Sequence, residues 1–128
     1  MRTIPLLIAL AAPPLAAQAR TPIGTTANGN PVLLESRSVT RSGDTVTAAV
    51  RVTFAKAVRT PGGEVRSSRT ILRVACTPKQ VAILENWYFT DPAGTVESSH
   101  RKVGAPGFST AIGGSMTAVA MGHLCAAK

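Results

Sequence analysis

Thr45–Ala57 reads TVTAAVRVTFAKA. Val46, Ala48, Val50, Val52 and Phe54 fall on one side of a two-residue period, and Thr45, Thr47, Arg51 and Thr53 on the other. Successive side chains of a strand point to opposite sides of its sheet, so this alternation marks a strand buried on one face. Such a strand belongs to an antiparallel sheet whose second face is wet or covered by something polar.

The neighbouring segments extend the pattern. Upstream, TRSGD (Thr40–Asp44) is a turn, with Gly43 free to take a positive φ. VLLESRSV (Val32–Val39) is a strand before it, and ordered structure is expected to begin near Pro31. RTPIGTTANGN (Arg20–Asn30) is small, polar and glycine-containing, and reads as a flexible lead. Downstream, RTPGGE (Arg59–Glu64) is a loop. VRSSRTILRVAC (Val65–Cys76) is a third strand, with Leu72, Val74 and Cys76 on one face and Ile71, Arg73 and Ala75 on the other. QVAILENWYFT (Gln80–Thr90) is a fourth, carrying Trp87, Tyr88 and Phe89. Its Val81, Ile83, Trp87 and Phe89 share a face that Glu85 interrupts, and Glu85 is expected to pair with a strand arginine such as Arg73. DPAG (Asp91–Gly94) has turn chemistry throughout. TVESSHRKV (Thr95–Val103) is polar enough for an edge strand, on which His100 is a solvated residue.

SMTAVAMGHLC (Ser115–Cys125) abandons the alternation. Ser115 is placed to cap a helix, and Met116, Val119, Ala120 and Leu124 recur at helical spacing. A helix this short is marginal in water and must dock on the sheet. The expected class is α+β: an antiparallel sheet of about five to six strands with one short C-terminal helix packed on one face.

The first residues, MRTIPLLIALAAPPLAAQA, combine a short positive start, an apolar run from Ile4 to Ala16 and small residues at Ala17 and Ala19. This is the pattern of a secretory signal peptide cleaved before Arg20. The run is too short to span a bilayer and contains Pro13 and Pro14. No cysteine stands at the cleavage point to take a lipid anchor, so the product is expected in the periplasm or secreted, and not as an integral membrane protein. Processing leaves 128 − 19 = 109 residues, with one domain over 31–125 and a tail over 126–128.

In an exported domain of this size two cysteines pair, and Cys76–Cys125 is the expected disulfide, tying the helix across the sheet. A metal site would draw on Cys76, His100, His123 and Cys125. Helical residues two apart point about 200° from each other, and no Cys-x-x-Cys or His-x-x-x-His spacing occurs. A reactive thiol needs a base and a lowered pKa, and neither is suggested. No Gly-x-Ser-x-Gly elbow is present and the six carboxylates are dispersed, so no catalytic residue, metal or cofactor is assigned.

Of 14 Lys and Arg only Arg2 leaves with the signal, so the mature charge is 13 − 6 = +7. An excess of this size favours anionic partners such as envelope or glycan surfaces and acidic proteins. Nucleic acid is disfavoured, because the cations are scattered singly apart from the adjacent Arg101 and Lys102, and no stacking aromatics are interleaved with them. Arg51, Arg66, Arg69 and Arg73 are the candidate contact residues.

Four stretches together resemble the surface-adhesin protein E-like family of bacterial exported proteins: RSGDTVTAAVRVTFAK (Arg41–Lys56), RSSRTILRVAC (Arg66–Cys76), ENWYFTDPAGTV (Glu85–Val96) and GGSMTAVAMGHLC (Gly113–Cys125). The resemblance runs from about Asn30 to Cys125. It implies a sheet of about six strands, with the helix held to its concave face by the Cys76–Cys125 disulfide, and it allows a homodimer. It also implies a non-enzymatic adhesin-like module meeting host matrix or serum proteins. The alternative is a periplasmic structural or envelope-assembly partner without an adhesive role.

Overall fold

The alternating stretch is the first part of a long strand, β4 (Thr45–Thr60), in the computed structural model, which describes residues 19–126. The expected signal peptide, apart from Ala19, and the last two residues of the tail lie outside the described residues. Around β4 stand β1 (Arg20–Thr25), β2 (Pro31–Glu35), β3 (Thr40–Ser42), β5 (Gly63–Ala75), β6 (Gln80–Phe89), β7 (Glu97–Lys102) and β8 (Ser109–Thr110). Helix α1 (Met116–Ala126) closes the described chain. All eight strands form one antiparallel sheet in the order β1-β2-β4-β5-β6-β7, with β3 alongside β4 and β8 alongside β6. The class is the expected one, and the two short flanking strands raise the count above six.

Alternation along β4 sorts the sheet into two faces. Val46, Ala48, Val50 and Val52 are buried with Val32 and Leu34 of β2, Leu72 and Val74 of β5, and Val81 of β6. Ala120, Met121 and Leu124 of α1 complete this core. Each fully buried Val or Leu contributes about 1.5–3 kcal/mol of transfer free energy, and this layer holds the helix on the sheet. Ser115 caps the helix as its sequence position requires, its Oγ accepting from the Ala118 amide at 3.3 Å. At the other end Arg41 of β3 donates from Nη2 to the Leu124 carbonyl at 3.1 Å, placing a cation where the helix dipole is negative. Cys76, just past β5, is bonded to Cys125, with Cα atoms 5.6 Å apart. With both sulfurs consumed, neither the metal nor the thiol reading of these cysteines survives.

Three local expectations are corrected. The lead read as flexible before Pro31 contains β1, which pairs with β2 from Arg20↔Glu35 to Thr25↔Pro31. Its composition is weak for a strand, but an edge position tolerates Pro22, and Ile23 packs against the core. Gly24 permits this approach, since a Cβ there would lie 2.7 Å from Val119 Cγ1 of the helix. The loop expected over Arg59–Glu64 shrinks to Pro61 and Gly62, between Thr60 and Gly63 paired directly across a hairpin. The turn expected over Thr40–Asp44 is likewise tighter, because Thr40–Ser42 pairs with β4 and only Gly43 and Asp44 turn the chain.

The fourth correction concerns β6. Leu72 pairs with Ile83, whereas the adjacent Ile71 pairs with Glu85, so Leu84 is an extra, bulged residue. Paired residues share a face, and the bulge therefore reverses the alternation. Val81 and Ile83 lie on the helix side, while Glu85, Trp87 and Phe89 lie on the opposite side with Arg69 and Ser67. The apolar row that Glu85 seemed to interrupt is two half-rows on different faces.

Candidate functional site

The face away from the helix carries a continuous polar and aromatic ladder. Arg51 of β4 and Arg69 of β5 are direct cross-strand partners. Like charges placed opposite each other repel. Glu35, at the end of β2, resolves the conflict. Its Oε2 accepts from Arg51 Nε at 2.9 Å and from Arg69 Nε at 2.6 Å, and its Oε1 accepts from Arg69 Nη2 at 3.1 Å. Burial pushes the Glu35 carboxyl up, but the hydrogen bonds and charges of Arg69 and Arg51 outweigh it, and the net pKa lies below the ordinary carboxylate value.

The ladder continues through aromatic contacts. The Arg69 guanidinium lies over Trp87, 4.7 Å from the ring centroid, and Arg51 lies over Phe89 at 5.4 Å. Trp87 stacks on His100 of β7 with centroids 4.5 Å apart and planes 6° from parallel. His100 Nε2 meets Glu85 Oε2. Glu85 thus pairs with His100, across β6 and β7, and not with Arg73, whose Nε donates to Thr47 Oγ1 at 3.3 Å. His100, expected to be simply solvated, is held on both sides while staying partly exposed.

The Asp91–Gly94 turn folds over one end of this face. Arg20 Nη1 donates to the Ala93 carbonyl at 3.2 Å, Arg51 Nη1 to Gly94 at 3.3 Å, and Ser67 Oγ to Asp91 at 2.6 Å. Gly94 has a φ of +73°, and a Cβ there would collide with Arg51 Nη1. Asp91 holds the turn through the Thr95 hydroxyl and amide and the Val96 amide. Those hydrogen bonds, the Thr95 hydroxyl foremost, lower its pKa to about 2.

The four candidate arginines therefore divide. Arg51 and Arg69 are half-buried and committed to Glu35. Arg66 and Arg73, on opposite faces of β5, are exposed. Sequence reasoning missed Glu35 as the hub, because its partners come from strands whose register is set by distant turns. It also missed the helix-side surface beyond α1. There Ile83, Asn86, Tyr88, Ser99, Arg101 and Val103 line an open cleft of about 570 Å³ under the β4–β5 turn. Among the described residues no cluster of three His, Cys, Asp or Glu could hold a metal, and no helix is long and apolar enough to cross a membrane.

The arrangement defines a sheet-and-helix domain clasped by a disulfide, with a cross-strand arginine–aromatic ladder on its open face. Residues 21–126 match the family model described as Surface-adhesin protein E, and the chain belongs to that family. The fold is that of Haemophilus influenzae protein E. One structure of that protein superposes with a TM-score of 0.58 at 14% identity, covering 90% of each chain. A second crystal form gives 0.60 at 14% identity, covering 90% of this chain and 94% of that one. No curated protein matches the sequence.

Proposed function

We propose that the protein is an exported, non-enzymatic binding domain of the adhesin type, which contacts anionic macromolecules through its basic surface outside the cytoplasm. One observation carries this reading. Nine of the twelve described Lys and Arg are exposed (Arg37, Arg41, Lys56, Arg59, Arg66, Arg73, Lys79, Arg101 and Lys102), against three exposed carboxylates, Asp44, Glu64 and Glu97. The excess of six is already present among the described residues (12 − 6), and because the sheet withdraws Glu35, Glu85 and Asp91 together with Arg20, Arg51 and Arg69, the exposed ratio rises from two to one to three to one. Arg66 and Arg73 supply contacts from the two faces of β5, while Arg51 and Arg69, bound to Glu35, shape the face that carries Arg73.

Family membership supports the adhesin class, and host matrix or serum proteins and sulfated or phosphorylated envelope glycans are the partners whose chemistry fits. The test is binding of the processed protein to heparin, lipopolysaccharide and matrix proteins at about 0.15 M salt, where exposed charges more than roughly 8 Å apart are already screened. Binding that weakens in an Arg66→Gln, Arg73→Gln variant supports the reading. No binding above that of a charge-matched unrelated domain overturns it.

A second reading, an envelope-assembly partner, draws on the open edges β1 and β7, each paired on one side only among the described residues. Recovery of one envelope protein by crosslinking from the β7 edge, with no glycan or matrix binding, would favour it.

A further inference from the structure

On the ladder face Arg51 and Arg69 are committed to Glu35, whereas several donors in the helix-side cleft are not committed within the domain. Asn86 uses its Oδ1 to accept from the buried Thr70 hydroxyl at 2.7 Å, which fixes the amide and leaves its Nδ2 directed elsewhere. The Tyr88 hydroxyl, the Ser99 hydroxyl and the Arg101 guanidinium make no intramolecular hydrogen bond among the described residues. These groups come together because Tyr88 pairs with Ser99 and Asn86 with Arg101 across β6 and β7, so all four share the helix-bearing side. Ile83, Val103 and Pro61 supply apolar wall, and no Asp or Glu lines the cleft. Its volume of about 570 Å³ falls within the roughly 300–1,000 Å³ of sites that hold small ligands.

We propose that this cleft binds one acidic sugar unit of a sulfated glycan chain, with Arg101 taking the sulfate, Asn86, Ser99 and Tyr88 the ring hydroxyls, and the Tyr88 ring and Val103 the sugar's apolar face. The chemistry selects this occupant. A guanidinium is a strong, directional partner for an oxyanion. Several neutral donors beside an aromatic ring suit a polyhydroxylated body better than an apolar one. The cleft is open, as entry by a unit within a chain requires. The proposal rests on the basic-surface reading and deepens it by assigning a place where one sugar is recognised and not merely attracted.

Lys102 provides the control. It adjoins Arg101 and carries the same charge, but it pairs with Glu85 and lies on the opposite face. The probe is a sulfated heparin-type disaccharide, titrated by calorimetry against the full processed protein. Arg101→Ala is expected to weaken binding roughly tenfold, and Tyr88→Phe, which removes only a hydroxyl, about threefold to fivefold. Lys102→Ala is expected to change it less than about twofold. The unsulfated disaccharide should bind at least about tenfold more weakly than the sulfated one. Near-UV circular dichroism checks that each variant keeps its packing.

Equal losses in Arg101→Ala and Lys102→Ala, with Tyr88→Phe unchanged, overturn the cleft while leaving general attraction to the basic surface intact. Wild-type protein that binds heparin polymer but not the disaccharide also overturns the cleft alone. Failure to bind either one overturns both readings.

Discussion

Replacing Glu35 by Gln removes the one carboxylate that holds Arg51 and Arg69 side by side, while keeping its size. Exposed ion pairs contribute about 0.2–1 kcal/mol, and breaking a buried one costs about 3–5 kcal/mol. Glu35, Arg51 and Arg69 have side chains 20%, 17% and 24% exposed, so the site lies between these limits. Two guanidiniums depend on the same oxygen, and in the variant they face each other uncompensated. A loss of about 2 kcal/mol follows. For a domain of this length that lowers Tm by about 10 °C.

The pH dependence carries the same signature. A carboxyl whose folded pKa lies below its unfolded value adds stability above the unfolded pKa and loses it as pH falls through the folded one. Glu35 is of this kind. The gap in Tm between wild type and Glu35→Gln should thus be full above about pH 5 and close as the solution is acidified. Calorimetric melting across that range is the assay. A variant that melts within about 2 °C of wild type at pH 7, or a gap that widens in acid, would show that the ladder is not held by this carboxylate.

Three further outcomes are expected. Cys76→Ser with Cys125→Ser opens a 49-residue separation and should cost about 4 kcal/mol in denaturant unfolding; a loss below about 1 kcal/mol would mean that α1 docks without its clasp. Gly94→Ala places a methyl against Arg51 at a φ of +73° and should cost about 1–3 kcal/mol, with the Arg51 and Phe89 resonances shifting in NMR spectra, whereas an unperturbed spectrum would contradict the close approach. Asp91 should titrate with a midpoint of about 2 in side-chain carboxyl NMR, and a midpoint near 4 would mean that the turn over the ladder is open in solution.

Signals confined to one segment carried most of the fold. The period of two in Thr45–Ala57 marks β4, Ser115 marks the start of α1, and two cysteines in an exported-type chain mark the clasp. What escaped depends on distant residues. β1 has almost no strand pattern of its own and is stabilised by pairing with β2 and by contact with Val119. The bulge at Leu84 leaves no turn residue behind. Its one trace is Glu85, a charge in an apolar row, at the place where the row changes face. Glu35, Arg51 and Arg69 are ordinary strand residues until register sets them side by side. The cleft was hidden for the same reason, since Asn86 and Arg101 meet only through the pairing of β6 with β7.

The basic surface holds nine exposed Lys and Arg against three exposed carboxylates. The most direct measurement is the affinity of residues 20–128 for immobilised heparin as salt is raised from about 0.05 to 0.5 M, over which the screening length falls severalfold. Binding that persists at about 0.15 M and weakens steadily above it is the predicted result. No binding at the lowest salt, or binding indifferent to salt, would contradict it.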